Sequence, residues 1–163
     1  MAVKMEVVDV EKPGEEVNVI IGYTHFIKST EDIYEALVTS MPGIKFGLAF
    51  CEASGPRLIR YEGTDEELVK YAVKNCEKIG AGHAFVILLG NAYPINVLNS
   101  LKNVQEITRI LVASANPLQV IVGETEQGRA ILGIVDGFAP LGVEDEEKRN
   151  ERKEFLRRIG YKL

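Results

Sequence analysis

Gly80-Ala81-Gly82-His83-Ala84-Phe85-Val86-Ile87-Leu88-Leu89 is the stretch that decides the fold. From His83 to Leu89 it is almost wholly apolar, and its length and flanking glycines favour a strand buried on both faces over a helix. Such a strand needs cover on each side. Immediately upstream, Thr64-Asp65-Glu66-Glu67 reads as a helix start, with Thr64 as N-cap, Glu67 at N3 and acids facing the positive end of the helix dipole. Leu68, Ala72, Cys76 and Ile79 line one face of that helix, and Gly80 closes it. Downstream, Pro94 is suited to the first turn of a second helix reaching Val104.

The remaining segments fit around this centre. Val3 to Val10 alternates apolar and polar, Lys12-Pro13-Gly14-Glu15 is a turn, and Val17 to Gly22 is a second strand, which together predict a hairpin. Ser29-x-x-Asp32 reads as an acidic capping box opening a helix with Ile33, Ala36, Leu37 and Met41 at helical spacing, stopped by Pro42-Gly43. Lys45 to Cys51 and Leu58 to Glu62 are strands around the loop Glu52-Ala53-Ser54-Gly55-Pro56. Arg109 to Ala113 is another. Leu118 to Gly123 and Arg129 to Asp136 form a hairpin about Glu124 to Gly128. Glu144 to Ile159 is a helix with acids first and arginines last, offering only Phe155, Leu156 and Ile159 for apolar contact, so it belongs on the outside. The expected architecture is α+β: one domain over 1–163, a mixed β-sheet of about eight strands, and four helices.

Composition narrows the function. The 163 residues are 46% hydrophobic and 26% charged, as in a globular chain, and the net charge of −5 is the wrong sign for a nucleic-acid binder. Two cysteines make no disulfide framework. Met1-Ala2-Val3-Lys4-Met5-Glu6 has no apolar leader core, and no apolar run is long enough for a membrane span. A cytoplasmic protein without nucleic-acid or membrane partners is expected. The Glu, Lys and Arg of the last helix also fit a thermophilic source.

Several segments could carry chemistry. Gly22-Tyr23-Thr24-His25-Phe26-Ile27-Lys28-Ser29 joins a strand to a helix and ends in Lys-Ser, the layout of a phosphate loop. Ile27 stands where a second glycine would be needed, so this is no Walker motif; either a weak anion site or a plain capped helix remains. Ser54-Gly55 after a strand could form an anion nest with Glu52 as base or metal ligand, or simply a turn. Gly80-Ala81-Gly82-His83 runs from helix into strand, opposite to a dinucleotide fingerprint, which leaves His83 as an uncertain polar contact. Asn96, Asn99 and Asn103 fall on one helix face, beside Tyr93. Amides suit the N6/N7 edge of adenine and Tyr93 could stack on a purine, the alternative being a solvated polar face. Glu124, Arg129 and Asp136 are the charged residues of the last hairpin, and Asp136 ends an otherwise apolar strand. His25, His83, Cys51 and Cys76 lack zinc-ligand spacing.

Taken together, His25-Phe26-Ile27-Lys28, the run from Pro42 to Gly55, Gly80-Ala81-Gly82-His83, Asn91-Ala92-Tyr93-Pro94-Ile95-Asn96-Val97-Leu98-Asn99, Ala115-Asn116-Pro117, Glu124 to Arg129, Asp136-Gly137 and Arg152 to Tyr161 resemble the adenosine-specific kinase family of small archaeal and bacterial proteins. The resemblance covers nearly the whole chain. It implies an α+β fold assembling as a homotrimer or higher homo-oligomer, binding of adenosine or AMP, and phosphoryl transfer to adenosine from a nucleoside triphosphate. With ATP as donor and Mg2+ as metal, the reaction needs cations, a carboxylate near the attacking hydroxyl, and metal ligands. Lys28 and Arg129 are assigned as catalytic cations, with Arg60 also available, and Asp136 as the base at the 5′-hydroxyl. Glu52 and Glu124 are assigned to the metal. Asn91, Asn96, Asn99, Tyr93, Ser54, Gly55 and His25 make up the expected substrate-binding set. A non-catalytic adenosine or AMP sensor is the alternative.

Overall fold

In the computed structural model, which describes residues 2–163, the apolar strand β5 (Ala84–Leu89) is buried along its whole length. It lies at the centre of a five-stranded sheet. On one side runs β2 (Asn18–Thr24) and then β6 (Ile107–Ser114); on the other β3 (Phe46–Cys51) and then β4 (Ile59–Gly63). A second sheet has three strands, with β7 (Leu118–Glu124) between β1 (Lys4–Asp9) and β8 (Arg129–Asp136). Four helices complete the chain: α1 (Ser29–Ser40), α2 (Glu66–Ile79), α3 (Pro94–Lys102) and α4 (Glu146–Arg158).

The α+β class, the eight strands and the four helices are those expected from sequence. The pairing is not a single mixed sheet: every strand pair is antiparallel, in two sheets. The expected β1–β2 hairpin is also absent. Strand β2 spends both edges on β5 and β6, while β1 pairs with β7. The side chain of Asn75 on α2 explains the divergence: its Oδ1 accepts from the Glu11 amide at 2.8 Å and its Nδ2 donates to the Glu11 carbonyl at 2.7 Å. This buried amide satisfies the backbone where β1 ends and carries the chain from one sheet to the other.

Alternating side chains divide the core in two. Ile20, Phe46, Leu48, Phe50, Phe85 and Ile87 face α1 and α3. Val19, Ile21, Ala49, Val86 and Leu88 face α2 and the three-stranded sheet. Hence the layers are two helices, a five-stranded sheet, then α2 beside the smaller sheet.

Two helix starts differ from expectation. The N-cap of α2 is Asp65, which accepts from the amides of Glu67 (3.1 Å) and Leu68 (3.2 Å). The Thr64 hydroxyl is diverted to the sheet, donating to the Ile44 carbonyl and accepting from the Phe46 amide. At α1 the capping position falls on Lys28, and the Ser29 hydroxyl meets that of Thr24 at 2.6 Å instead of capping. In both cases the hydroxyl that the local pattern offers as a cap is taken by partners outside its helix: the backbone at the start of β3 for Thr64, the Thr24 hydroxyl and the Phe26 amide for Ser29.

Gly47 fixes how closely α2 approaches. A Cβ there would come 2.1 Å from the Leu68 backbone carbon and 2.2 Å from the Val69 nitrogen. Backbone cannot yield as a side chain can. Gly47→Ala is expected to destabilise the chain by roughly 3 kcal/mol, measured by denaturant unfolding.

Candidate active-site cleft

On the α2 side of the five-stranded sheet, an open cleft of ≈ 990 Å³ lies between the turn after β3, the end of α2 and the β7–β8 hairpin. Its wall includes Glu52, Arg57, Cys76, Gly80, Gly128 and Arg129. Gly80 adopts a left-handed φ of +60°, as a residue closing a helix often does, and a Cβ there would meet Arg129 Cδ at 3.3 Å. The backbones of Ala81 and Arg129 form a bridge, which joins the two walls.

Arg129 is the principal charge of the cleft. Its Nη2 donates to Glu6 Oε2 at 2.9 Å, while its Nε lies 3.9 Å from Glu124 Oε2, too far for a hydrogen bond. That Nε is buried without a partner. A buried N–H left unpaired is costly, and on a guanidinium it is a donor shaped for a carboxylate or phosphate oxygen.

Across the cleft, Glu52 holds its own turn together. Its Oε1 accepts from the amides of Ala53 (2.9 Å) and Ser54 (3.3 Å) and from the Ser54 hydroxyl, while Oε2 pairs with Arg60 at 3.0 Å. The Ser54 amide is thus committed inward, and an outward-facing nest at Ser54-Gly55 is not formed. Arg60 also donates to the Ile27 carbonyl at 2.9 Å, which draws the His25–Lys28 loop to this end of the sheet, with His25 exposed. His83 sits between β3 and β2 with φ +66°: its amide donates to the Cys51 carbonyl and its carbonyl accepts from Thr24. Its ring stacks on Phe50, and its Nε2 lies 3.8 Å from Glu52 Oε1.

The other sequence candidates lie elsewhere. Lys28 Nζ is held between Asp32 and the buried Glu106, at 2.5 and 2.6 Å, and these two carboxylates, Asp32 foremost, raise its pKa. Asp136 lies at the opposite end of β8 from Arg129, a strand spanning roughly 23 Å. There it accepts from Ser114 Oγ at 2.7 Å and Asn116 Nδ2 at 3.1 Å. The asparagine helix α3 packs on the other face of the five-stranded sheet. Asn91 braces the Lys45 amide and the Gly43 carbonyl, Asn96 Oδ1 accepts from the Tyr93 amide, and Asn103 donates to the Asn99 carbonyl. Of the candidates, the structure therefore brings Glu52 and Arg129 to the cleft, sets Glu124 beside Arg129 outside its lining, and separates Asp136, Lys28 and the asparagines from it.

The sequence reading missed Glu6 and Arg57. Glu6 reaches Arg129 only because β1 pairs with β7, a long-range contact with no local signature. Arg57 carried a usable signal, since Gly55-Pro56 forces a turn that leaves the next residue at φ +52° on the cleft rim.

Residues 8–162 match the family model described as Adenosine specific kinase. The chain belongs to that family. It is also similar to the crystal structure of the PH1918 protein from Pyrococcus horikoshii OT3, at 55% identity over 99% of each chain and with a TM-score of 0.95. None of the curated proteins matches. A kinase family implies a nucleotide donor and usually Mg2+. Among the described residues no three His, Cys, Asp or Glu side chains are grouped to hold a metal. Mg2+ commonly needs only one or two carboxylates beside phosphate oxygens and water, and Glu124, whose side chain makes no hydrogen bond among the described residues and lies 3.9 Å from Arg129 Nε, fits that use. Among the described residues no helix is long and apolar enough to cross a membrane.

Burial opposes ionisation of Glu52, but the Ala53 and Ser54 amides and the Arg60 charge outweigh it and leave its pKa below the ordinary value. A lowered folded pKa gives a contribution that is full above the unfolded value of about 4.3 and is lost as pH falls through the folded one. Loosening of the Glu52–Arg60 wall is therefore expected only below about pH 4. Unfolding midpoints of wild type and Glu52→Gln, measured from pH 7 downward, should converge there.

Proposed function

We propose that this chain binds adenosine or AMP and transfers the γ-phosphoryl group of ATP to the adenosine 5′-hydroxyl, working in the cytoplasm as a single-domain homotrimer or higher homo-oligomer. Family membership supports the reaction class. The observation that carries the site is Arg129, a cation that lines a cleft large enough for a nucleotide and whose buried Nε has no hydrogen-bond partner.

In this reading the hydroxyl oxygen attacks the γ-phosphorus, the bond to the β–γ bridging oxygen breaks, and ADP leaves. Charge spread over the equatorial oxygens is met by Arg129, whose orientation is preset by Glu6 and by the absence of a side chain at Gly80. Bound Mg2+ would neutralise phosphate charge, with Glu124 as its protein ligand. Glu52 keeps the opposite wall in shape rather than taking a proton, because its two oxygens are already committed. A loose transition state asks little of a base, and the hydroxyl proton passes to the transferred phosphoryl group. Asp136, Lys28 and the asparagine stripe have no part in this arrangement.

Four measurements test it. With adenosine, ATP and Mg2+, wild type should form ADP and AMP; binding without turnover would instead make the chain a nucleotide sensor. Adenosine and AMP, but not guanosine, should raise the melting temperature, since a ligand bound only by the native state must do so. Arg129→Met should lower turnover about a hundredfold or more while the adenosine shift persists. Asp136→Asn should keep the wild-type rate, and its loss would move the chemistry to the far end of β8.

A further inference from the structure

Beyond β8 the chain leaves the body as an arm. Phe138, Leu141 and Val143 are 89%, 106% and 98% exposed, and no residue of α4 is buried, although Phe155 and Ile159 share one of its faces. Nothing in a single copy covers these side chains.

The three-stranded sheet has the matching defect. Its inner face enters the core through Val8, Val120 and Val122. Its outer face carries Met5 (72% exposed), Val7 (58%) and Val135 (42%). The register sets Met5 beside Gly123 and Val7 beside Ile121, and Leu132, 55% exposed, lies against Gly123. This is one contiguous apolar face, not isolated side chains. Contiguous apolar surface of this kind on a soluble chain marks an interaction site.

We propose that the arm from Phe138 to Leu163 docks on the outer face of the β1-β7-β8 sheet of a second copy of this chain, each copy giving one arm and receiving one. The inference rests on the homo-oligomer proposed above and names its contact. The arm starts at Gly137, directly after a strand of that same sheet, yet Phe138, Leu141 and Val143 do not pack back on it, so the occupant comes from a neighbour. The area suffices. Phe138 is nearly fully exposed and Phe155 and Tyr161 about half, so covering them would take roughly 300–500 Å² out of water. With Leu141, Val143, Ile159 and Leu163 added, the arm comes near the ~800 Å² per partner of a standard interface. Arm-to-sheet contact is head-to-tail, so copies related by a rotation close into a ring.

Light scattering on the eluting full chain, combined with site-specific cross-linking, tests this. V7C and L141C chains are prepared separately, mixed, allowed to exchange subunits, and treated with a short bismaleimide; the native Cys51 and Cys76 are buried and do not compete. A cross-linked species of twice the chain mass should form in the mixture and in neither chain alone. L141S/V143S, altered only at exposed positions, should keep the native circular dichroism and weaken assembly at least tenfold. Oligomers that resist L141S/V143S and give no cross-link would overturn the arm contact while leaving the homo-oligomer standing. Wild type that is monomeric at micromolar concentration would overturn both. A V7C/L141C double variant that cross-links within one chain would show the arm folding back and also overturn the inference.

Discussion

Burial of β5 on both faces is the constraint from which the remaining architecture follows. A six-residue apolar strand cannot leave either side to water, so helices α1 and α3 must cover one and α2 with the smaller sheet the other. Its flanking segments then become the two ends of the molecule. At one end His83 links β3 and β2 through its backbone, next to the cleft; at the other Asn91 braces the turn before β3. Gly47 lets α2 settle against the sheet closely enough for its last turn to reach the cleft wall.

Much of this was legible because the signals are local. The run from Ala84 to Leu89, the pairing of acids with a helix start near Glu66, Pro94 at the head of α3, and the turn between β7 and β8 all depend on neighbours within a few residues. The sequence predicts a β1–β2 hairpin because β1 and β2 are close in sequence, while the Asn75 side chain that parts them is 64 positions from Glu11. Thr64 looks like a cap for the same reason: its partners Ile44 and Phe46, at the entry to β3, are invisible to a local pattern.

The cleft was legible only in pieces. Glu52, Glu124 and Arg129 stood out as charges at strand ends, and strand ends are where side chains escape the core. Asp136 stood out equally, but β8 is a rod, and the two ends of a rod cannot share a site in one copy. The asparagines near α3 lie away from the cleft, on the other face of the five-stranded sheet. Asn96 and Asn91 spend their amides on backbone groups at the start of α3 and the turn before β3, as asparagine commonly does. The Lys28 ammonium is similarly spoken for, clasped by one half-exposed and one buried carboxylate.

The cleft straddles a seam between two separately hydrogen-bonded sheets, with Glu52 on one bank and Arg129 on the other. What crosses the seam nearby is a short set of polar ties: the Ala81–Arg129 backbone bridge, the Ile131 amide donating to the Tyr23 hydroxyl, and the grip of α2 on the end of β1 and Glu11 through Asn75, Lys74 and Lys78. A molecule wedged between the banks would act as a strut, tying together halves whose relative motion is otherwise resisted mainly by apolar packing. Occupancy would thereby be felt as stiffness along the whole seam, including the smaller sheet's far surface.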